Sequence, residues 1–452
     1  MSHALRHAEA PPVMPVRHYR GRAFTSAALP THVEPWPCAT RALDRDGAPY
    51  DASPAEVLAY TRGKPWVLPA RTMYFFCDVH ADADAFRASL AASGGVALTG
   101  SGDFDLELTT EGRAALFVIA GDCFDKGPNN VRLLRVIGRL IELGADVELL
   151  AGNHDLRTLV GIAYLGRKEP RFAHLFVRMG KKSVPLFKEM LEAYPLAPGE
   201  LEAGPSEAEL RALMFPPASW FDEFPQVAHG LINDKKAAKE VIRIREKIDE
   251  IEGAIEALGL SLRALYAGVA RCRRQFLDPD GAFAWFFGRM RLCRRWGSFL
   301  LIHAGVDDST AAVLRHEGVD GLNRRFDELR ARDLFELYHG PIGNCFRTKY
   351  RDIDYPLGDR GVADMHRAGL YAIVHGHRNI LHGQRVVMRR GLLNFECDAS
   401  VDRNTRVLER LPGQGAAVVI FRGDGTITGI SVDHPRARCF DLAAQAGLLT
   451  VV

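Results

Sequence analysis

No run of about 18 or more apolar residues occurs in the 452-residue sequence, so nothing reads as a helix crossing a bilayer. The first residues, MSHALRHAEAPPVMPVRHYRGRAF, lack the unbroken apolar core of a secretory signal, and the cytoplasm is the expected location. Cysteine is sparse: eight scattered thiols without a CxxC pair exclude a disulfide-dense scaffold and a cysteine zinc site. Cys77 and Cys123 lie within apolar or turn segments, where a small buried hydrophobe is the simplest reading. Neither sign of charge dominates, since 58 Lys and Arg against 56 Asp and Glu leave a net +2. The broad basic field of a non-specific nucleic-acid binder is therefore absent. What is present is an ordinary globular composition, 47% hydrophobic and 25% charged. The length allows roughly two to four units, or one large domain with insertions.

Residues 1–70 are rich in Pro, Ala, His and Arg without a sustained period and read as an irregular N-terminal arm. From residue 71 the pattern sharpens. TMYFFCDVH reads as an apolar strand, with DADAFRASLAAS after it as a helix. AALFVIAGDCFDKGPNN runs from strand to turn, and Pro128 and Asn129 precede a periodic helix. VELLAGNHD repeats the device. Such repeats describe an α/β sheet with a site at the strand C-termini, continuing over 71–160. Residues 161–297 read as a helical insertion. Inside it, Val241, Ile244, Ile248, Ile251 and so on to Phe276 alternate spacings of three and four. This heptad stripe, 241–276, fits one helix about 50 Å long or a hairpin broken at Gly259 and Ser261. Its functional reading is a coiled coil for a protein partner or self-association; otherwise it packs on its own domain. Strands return over 298–435 in SFLLIHAGV, GLYAIVHGHRN and GLLNFECDAS, and a hairpin surrounds Gly423-Asp424-Gly425. Residues 436–452 read as a tail. The fold class is a layered α/β arrangement, a two-sheet sandwich flanked by helices.

A chemical set collects where the apolar strands stop: Asp78, His80, Asp122, Asp125, Asn153, His154, Asp155, His303 and His377. Each alone has a bland reading as a helix cap or a hydrogen-bonded loop residue. Together, carboxylate, imidazole and amide oxygen arriving at one sheet edge form a mixed O/N donor set suited to borderline divalent metals.

The segments DVH, GDCFDKG, GNHD, HAG and GHRN, in that order, resemble the five motifs of calcineurin-like metallophosphoesterases. They are most similar to the phosphoprotein phosphatase family, whose second and third motifs read GDxxDRG and GNHE. The resemblance covers about 71–160 and 298–400. It implies two divalent metals, drawn from Mn, Fe, Zn or Co with Mn favoured in vitro, that share Asp122 as a bridge. One would be held by Asp78, His80 and Asp122, the other by Asp122, Asn153, His303 and His377. A hydroxide between the cations would be the nucleophile, and two cations so close need an anion between them. His154 would protonate the leaving group, with Asp125 orienting its ring. Lys126, Arg360 in GDRGV and Arg347 in NCFRTKYR are the expected phosphate-binding cations.

Three positions depart from the family pattern. Lys126 replaces an arginine and gives a point charge in place of a planar fork. Ala81 replaces a glycine, and Asp155 a glutamate. The last motif ends in Arg378-Asn379 and lacks the second histidine of the diesterase branch, which favours monoesters. His375 is read as a packed residue or a support for the ligands. The leading expectation is a dinuclear phosphomonoesterase acting on a phosphorylated protein or peptide, on Ser/Thr or on Tyr. The alternative is hydrolysis of small phosphorylated metabolites or dinucleoside polyphosphates. An inactive phosphoprotein-binding scaffold is a minor third reading, and delivery into another cell as an effector stays open. No nucleic-acid or membrane partner is expected.

Overall fold

The structure is a computed structural model. It describes residues 29–38, 43–44, 49–230 and 232–452, with the backbone of 14–15.

The apolar runs identified in the sequence become short strands that alternate sides. In β1 (Met73–Phe76), Met73 and Phe75 face one core while Tyr74 and Phe76 face another, the period-two consequence of extended backbone. The same alternation holds in β2 (Leu116–Ile119) and, across the sandwich, in β4 (Phe299–Ile302). β1, β2 and β3 (Asp146–Leu150) are parallel neighbours in a nine-stranded sheet. β4, β5 (Ala372–His375) and β6 (Leu392–Glu396) are parallel neighbours in a five-stranded sheet. Phe75, Leu116 and Val118 of one sheet meet Phe299, Leu301 and Phe395 of the other in a dry layer. Burying such side chains is worth about 1.5–3 kcal/mol each. The outward faces are covered by helices, among them α1 (Ala83–Ser93), α2 (Asn130–Glu142) and α3 (Asn153–Ala163). Asp82 caps α1 by accepting from the Ala85 N–H, and Asn129 stands at the N-terminus of α2. This is the expected two-sheet sandwich.

The ends of the chain differ from expectation. Within residues 1–70, His32–Pro35 is a strand of the large sheet, Pro54–Thr61 is a helix, and Trp66–Leu68 pairs with Leu449–Val451. The supposed tail 436–452 holds the strand Ala437–Asp441, which joins that sheet between His32–Pro35 and Thr426–Ser431. These strands are three to five residues long and pair over hundreds of positions, so no local period marks them.

The heptad stripe is a hairpin. α4 (Asp234–Ala257) and α5 (Leu262–Leu277) meet at a bend of 101°. Gly259 takes a left-handed φ of 64° while Leu260 N–H reaches the Ile255 carbonyl and Gly259 N–H that of Glu256. Ser261 then caps α5 through the Ala264 N–H. The helical phase survives the break because both helices lay the stripe on their own domain: Ile244, Ile251, Ile255, Leu265, Val269 and Phe276 are buried. Among the described residues, no single helix is long and apolar enough to cross a membrane.

Candidate active site

Both parallel triplets point their C-terminal ends to one place. β1 delivers Asp78 and His80, β2 delivers Asp122, and β3 runs into Asn153 and His154 at the start of α3. β4 delivers His303, β5 His377 and β6 Asp398. Hydrogen bonds bind these ends together. His80 N–H donates to the Asp122 carbonyl at 2.9 Å, and His377 N–H to Asp78 Oδ2 at 2.9 Å across the two sheets. His154 N–H donates to Asp122 Oδ1 at 2.8 Å.

The loops hold a concentration of left-handed backbone: Asp78, His80, Ala81, Asp122, Asp125, Lys126 and His377 have φ between 43° and 66°. Outside glycine this conformation costs about 1–2 kcal/mol per residue, and such outliers cluster at functional sites. Ala81, fully buried, adopts this conformation too, one that glycine takes at less cost. Two glycines are needed for close approach: a Cβ on Gly376 would collide with the Asp78 carboxylate, and one on Gly152 with the Asp122 backbone. Asp155 accepts from Asp122 N–H at 2.8 Å, Cys123 N–H at 2.8 Å and Gly152 N–H at 3.1 Å, locking the second and third motifs together.

The expected ligands fall into two groups of mutually close donor atoms, Asp78–His80–Asp122 and Asp122–His303–His377, with Asp122 common to both. Asn153 Oδ1 lies 3.3 Å from His303 Nε2 and so joins the second group. Nδ1 of His303 faces the Ala120 carbonyl at 2.7 Å and Nδ1 of His80 the Phe124 carbonyl at 3.1 Å, which fixes the rings with Nε2 turned toward the Asp122 carboxylate. His377 Nε2 instead faces the Arg347 carbonyl at 3.1 Å, leaving Nδ1 as its ligand atom.

The electrostatics suit cations. Burial opposes charge on Asp122, yet His303 and His154 hold its carboxyl well below the usual range. Asp78 is raised, first by burial, with the neighbouring Asp122 charge adding to it. Asp398, which sequence reasoning passed over although it ends a strand as the others do, is pushed well up by burial and by Asp78. Its Oδ2 is buried without a hydrogen-bond partner among the described residues. Several acidic groups crowded in a dry site, with imidazole and amide donors between them, fit a pair of divalent ions.

His154 sits beside this cluster with Nε2 3.8 Å from Asp122 Oδ2. Its Nδ1 donates to Asp125 Oδ2 at 2.7 Å. Arg157, another residue missed from sequence, donates to the same oxygen at 2.6 Å, one turn along α3. Burial first, then Arg157, lower the His154 imidazole to about 4, against the pull of Asp122 and Asp125.

The three expected phosphate-binding cations separate. Lys126 Nζ lies 2.7 Å from His80 Nε2, at the edge of the ligand set. Arg347 lines the cleft that continues from Asn153 and His377. Arg360 is not brought to the site: it is exposed on the first turn of the helix Asp359–Arg367. The glycines around it serve a different purpose, since Gly358 and Gly361 N–H both donate to Asp308 Oδ1, at 2.8 and 3.0 Å, and the arginine between them points outward. His375 is a packed residue, fully buried with Nδ1 2.9 Å from the Gly376 carbonyl and Nε2 3.8 Å from Glu396.

The family model of calcineurin-like phosphoesterases, a family that uses divalent metals, matches residues 74–236. Among solved structures, a cold-active protein tyrosine phosphatase is 13% identical with a TM-score of 0.41, covering 84% of this chain and 82% of that one. The cold-active protein-tyrosine phosphatase of a Shewanella psychrophile is 13% identical with a TM-score of 0.38, covering 84% of each chain. A serine/threonine phosphatase from Saccharomyces cerevisiae with similarity to human phosphatase PP5 is 10% identical with a TM-score of 0.30, covering 81% and 79%. No curated protein matches the sequence.

Proposed function

We propose that this chain is a dinuclear metal-dependent phosphomonoesterase. The observation that carries the reading is the meeting of two buried donor groups on one carboxylate, Asp122, with the His154–Asp125 pair beside them. Divalent ions held by Asp78, His80, Asp122, Asn153, His303 and His377 would activate water and neutralise phosphoryl oxygens. The chain's own residues do the rest. His154 Nε2 faces the ligand set and donates a proton to the departing oxygen, while Asp125 fixes the ring by its Nδ1–H. Arg157, bonded to Asp125, sets that carboxylate's position and tempers its pull on the imidazole. Lys126 and Arg347 supply cationic donors for phosphate oxygens, without Arg360.

Monoesters are favoured over diesters because the position after His377 offers no second imidazole. Arg378 instead lies over the Tyr350 ring, 5.3 Å from its centroid, and Asn379 donates to Glu409 at 3.2 Å. Phosphorylated Ser, Thr or Tyr side chains are the substrates implied by the motif resemblance. A second reading, small phosphorylated molecules, is favoured by the small basic cleft beside His377. The test is phosphate release by metal-stripped protein after Mn²⁺ is restored, from p-nitrophenyl phosphate and from bis-p-nitrophenyl phosphate. Turnover of the monoester at least tenfold above the diester is expected; preference for the diester, or no turnover of either, would reject the proposal.

A further inference from the structure

Beyond His377 and Asn153 the ligand set opens into a cleft of about 270 Å³. Two elements remote in sequence furnish its walls. Lys236, Lys239 and Arg243 come from the first turns of α4 in the helical insertion, and Arg347, Lys349 and Arg351 from the loop after the helix Pro341–Asn344. Arg157 and Arg178 also line it, and among the described residues the carboxylates lining the cleft are Glu240 and Asp354. These are already engaged: Glu240 pairs with Arg178, and Asp354 with Arg351 at 3.2 Å. Lys236, Lys239, Arg243, Arg347 and Lys349 form no salt bridge among the described residues.

Like charges held in a small concavity repel, and the fold accepts that cost here. Lys236 is lowered by burial and then by Arg347; Arg347 is lowered by burial and, in turn, by Arg178. Lys247, a turn further along α4, is lowered to about 8 by burial, Arg157 and Arg178. A cleft lined by one sign of charge concentrates ligands of the other. One phosphoryl group is already provided for by the ligand set, Lys126, Arg347 and His154, so the remaining cations, Lys236, Lys239, Arg243 and Lys349, answer charges on the same substrate beyond the scissile phosphate.

We propose that the cleft binds the non-transferred phosphates of a small, multiply phosphorylated substrate, such as a condensed phosphate chain, whose terminal phosphate lies on the ligand set. This rests on the phosphomonoesterase reading and extends it from an ester to the terminal phosphoanhydride of such a chain. An acidic phosphopeptide is the weaker fit. The cleft is small, and its aromatic and aliphatic lining, Tyr338, Tyr355, Ile232 and Ile353, is outnumbered by cationic side chains. Hydrolysis adds water across the terminal P–O bond. The water oxygen and one proton end on orthophosphate, and the other proton goes to the former bridging oxygen on the shortened chain.

The experiment compares kcat/KM of the Mn²⁺-loaded full chain for inorganic tripolyphosphate, a nucleoside 5′-triphosphate, p-nitrophenyl phosphate and an acidic phosphoserine peptide. At least one of the two polyphosphates is expected to exceed p-nitrophenyl phosphate by about tenfold or more, equivalent to one to two charge-assisted contacts. Equal preference for the two places recognition in the phosphate chain, and preference for the nucleotide alone adds a contact to its nucleoside. The triple variant Lys236→Ala, Lys239→Ala, Arg243→Ala should lower the ratio of polyphosphate to p-nitrophenyl phosphate by about tenfold. Inhibition of the native enzyme by a non-hydrolysable triphosphate analogue, tighter than that by orthophosphate, checks the same claim without a variant. Turnover of p-nitrophenyl phosphate with no polyphosphate preference, or with the peptide preferred, would overturn this inference alone. Silence on every substrate would overturn the phosphomonoesterase reading beneath it.

Discussion

The strand ends and the helices between β3 and β4 contribute to one cleft by opposite means. At the strand ends, each functional side chain sits within a residue or two of a stopping strand, in loops held left-handed at Asp78, His80, Asp122 and His377 and stitched by backbone hydrogen bonds. In the insertion, Lys236, Lys239 and Arg243 sit on an unstrained helix capped by Asn233, whose buried face exists to pack Ile244, Ile251 and Ile255. Chemistry is thus placed by costly local conformation, and charge is placed by ordinary helical packing. The first needs particular residues at fixed spacing; the second needs only a helix in the right place.

That contrast is broken most severely by removing the shared carboxylate. Asp122→Asn should lower kcat/KM on p-nitrophenyl phosphate by more than about a hundredfold, beyond the usual cost of losing a ligand's supporting partner, because both donor groups lose a member. Circular dichroism would confirm that the fold remains. His154→Asn should lower kcat by about a hundredfold for an alkyl phosphate and far less for p-nitrophenyl phosphate, whose leaving group barely needs a proton. Equal losses on both would remove His154 from the acid role. A smaller effect separates the two arginines: Arg347→Ala should cost about tenfold in kcat/KM, whereas Arg360→Ala should stay within about twofold, as expected of an exposed side chain. The reverse order would restore the assignment implied by motif resemblance.

The insertion offers the finest test, in stability. His174 is buried against Trp220 and Phe224, with neither ring nitrogen hydrogen-bonded among the described residues, and burial lowers it to about 3. Its folded value lies below the unfolded one, so the unfolded chain takes up a proton first as the pH falls. Its contribution to stability is complete above about pH 6.5 and declines toward pH 3, at about 1.4 kcal/mol per pH unit. In urea unfolding between pH 6 and 4, His174→Phe should show a shallower loss of stability than the native chain. An unchanged slope would refute this account of the buried ring.

The same contrast explains what was legible in the sequence. The candidate ligands are readable because a strand, its stop and its donor are contiguous, and Asp398 obeys the same rule. The strands near both ends were not readable, since three to five residues carry no period and their partners lie hundreds of positions away. The break in the heptad stripe was legible as an alternative, because Gly259 and Ser261 are the residues that a helix stop and a new cap require. Arg360 misled because a Gly-x-x-Gly frame that cradles the Asp308 carboxylate looks, in one dimension, like a frame that presents an arginine. Arg157 and the insertion's lysines could not be found, because what assigns them is proximity in space to Asp125 and His377 and no pattern along the chain.

The account stands on two metal sites that share one carboxylate, and metal stoichiometry tests it most directly. After stripping and reloading with Mn²⁺ at a fixed low free concentration, elemental analysis should find two ions per native chain, two in Asp125→Asn, and fewer than one in Asp122→Asn. A single ion in the native protein, or an undiminished pair in Asp122→Asn, would contradict the shared centre.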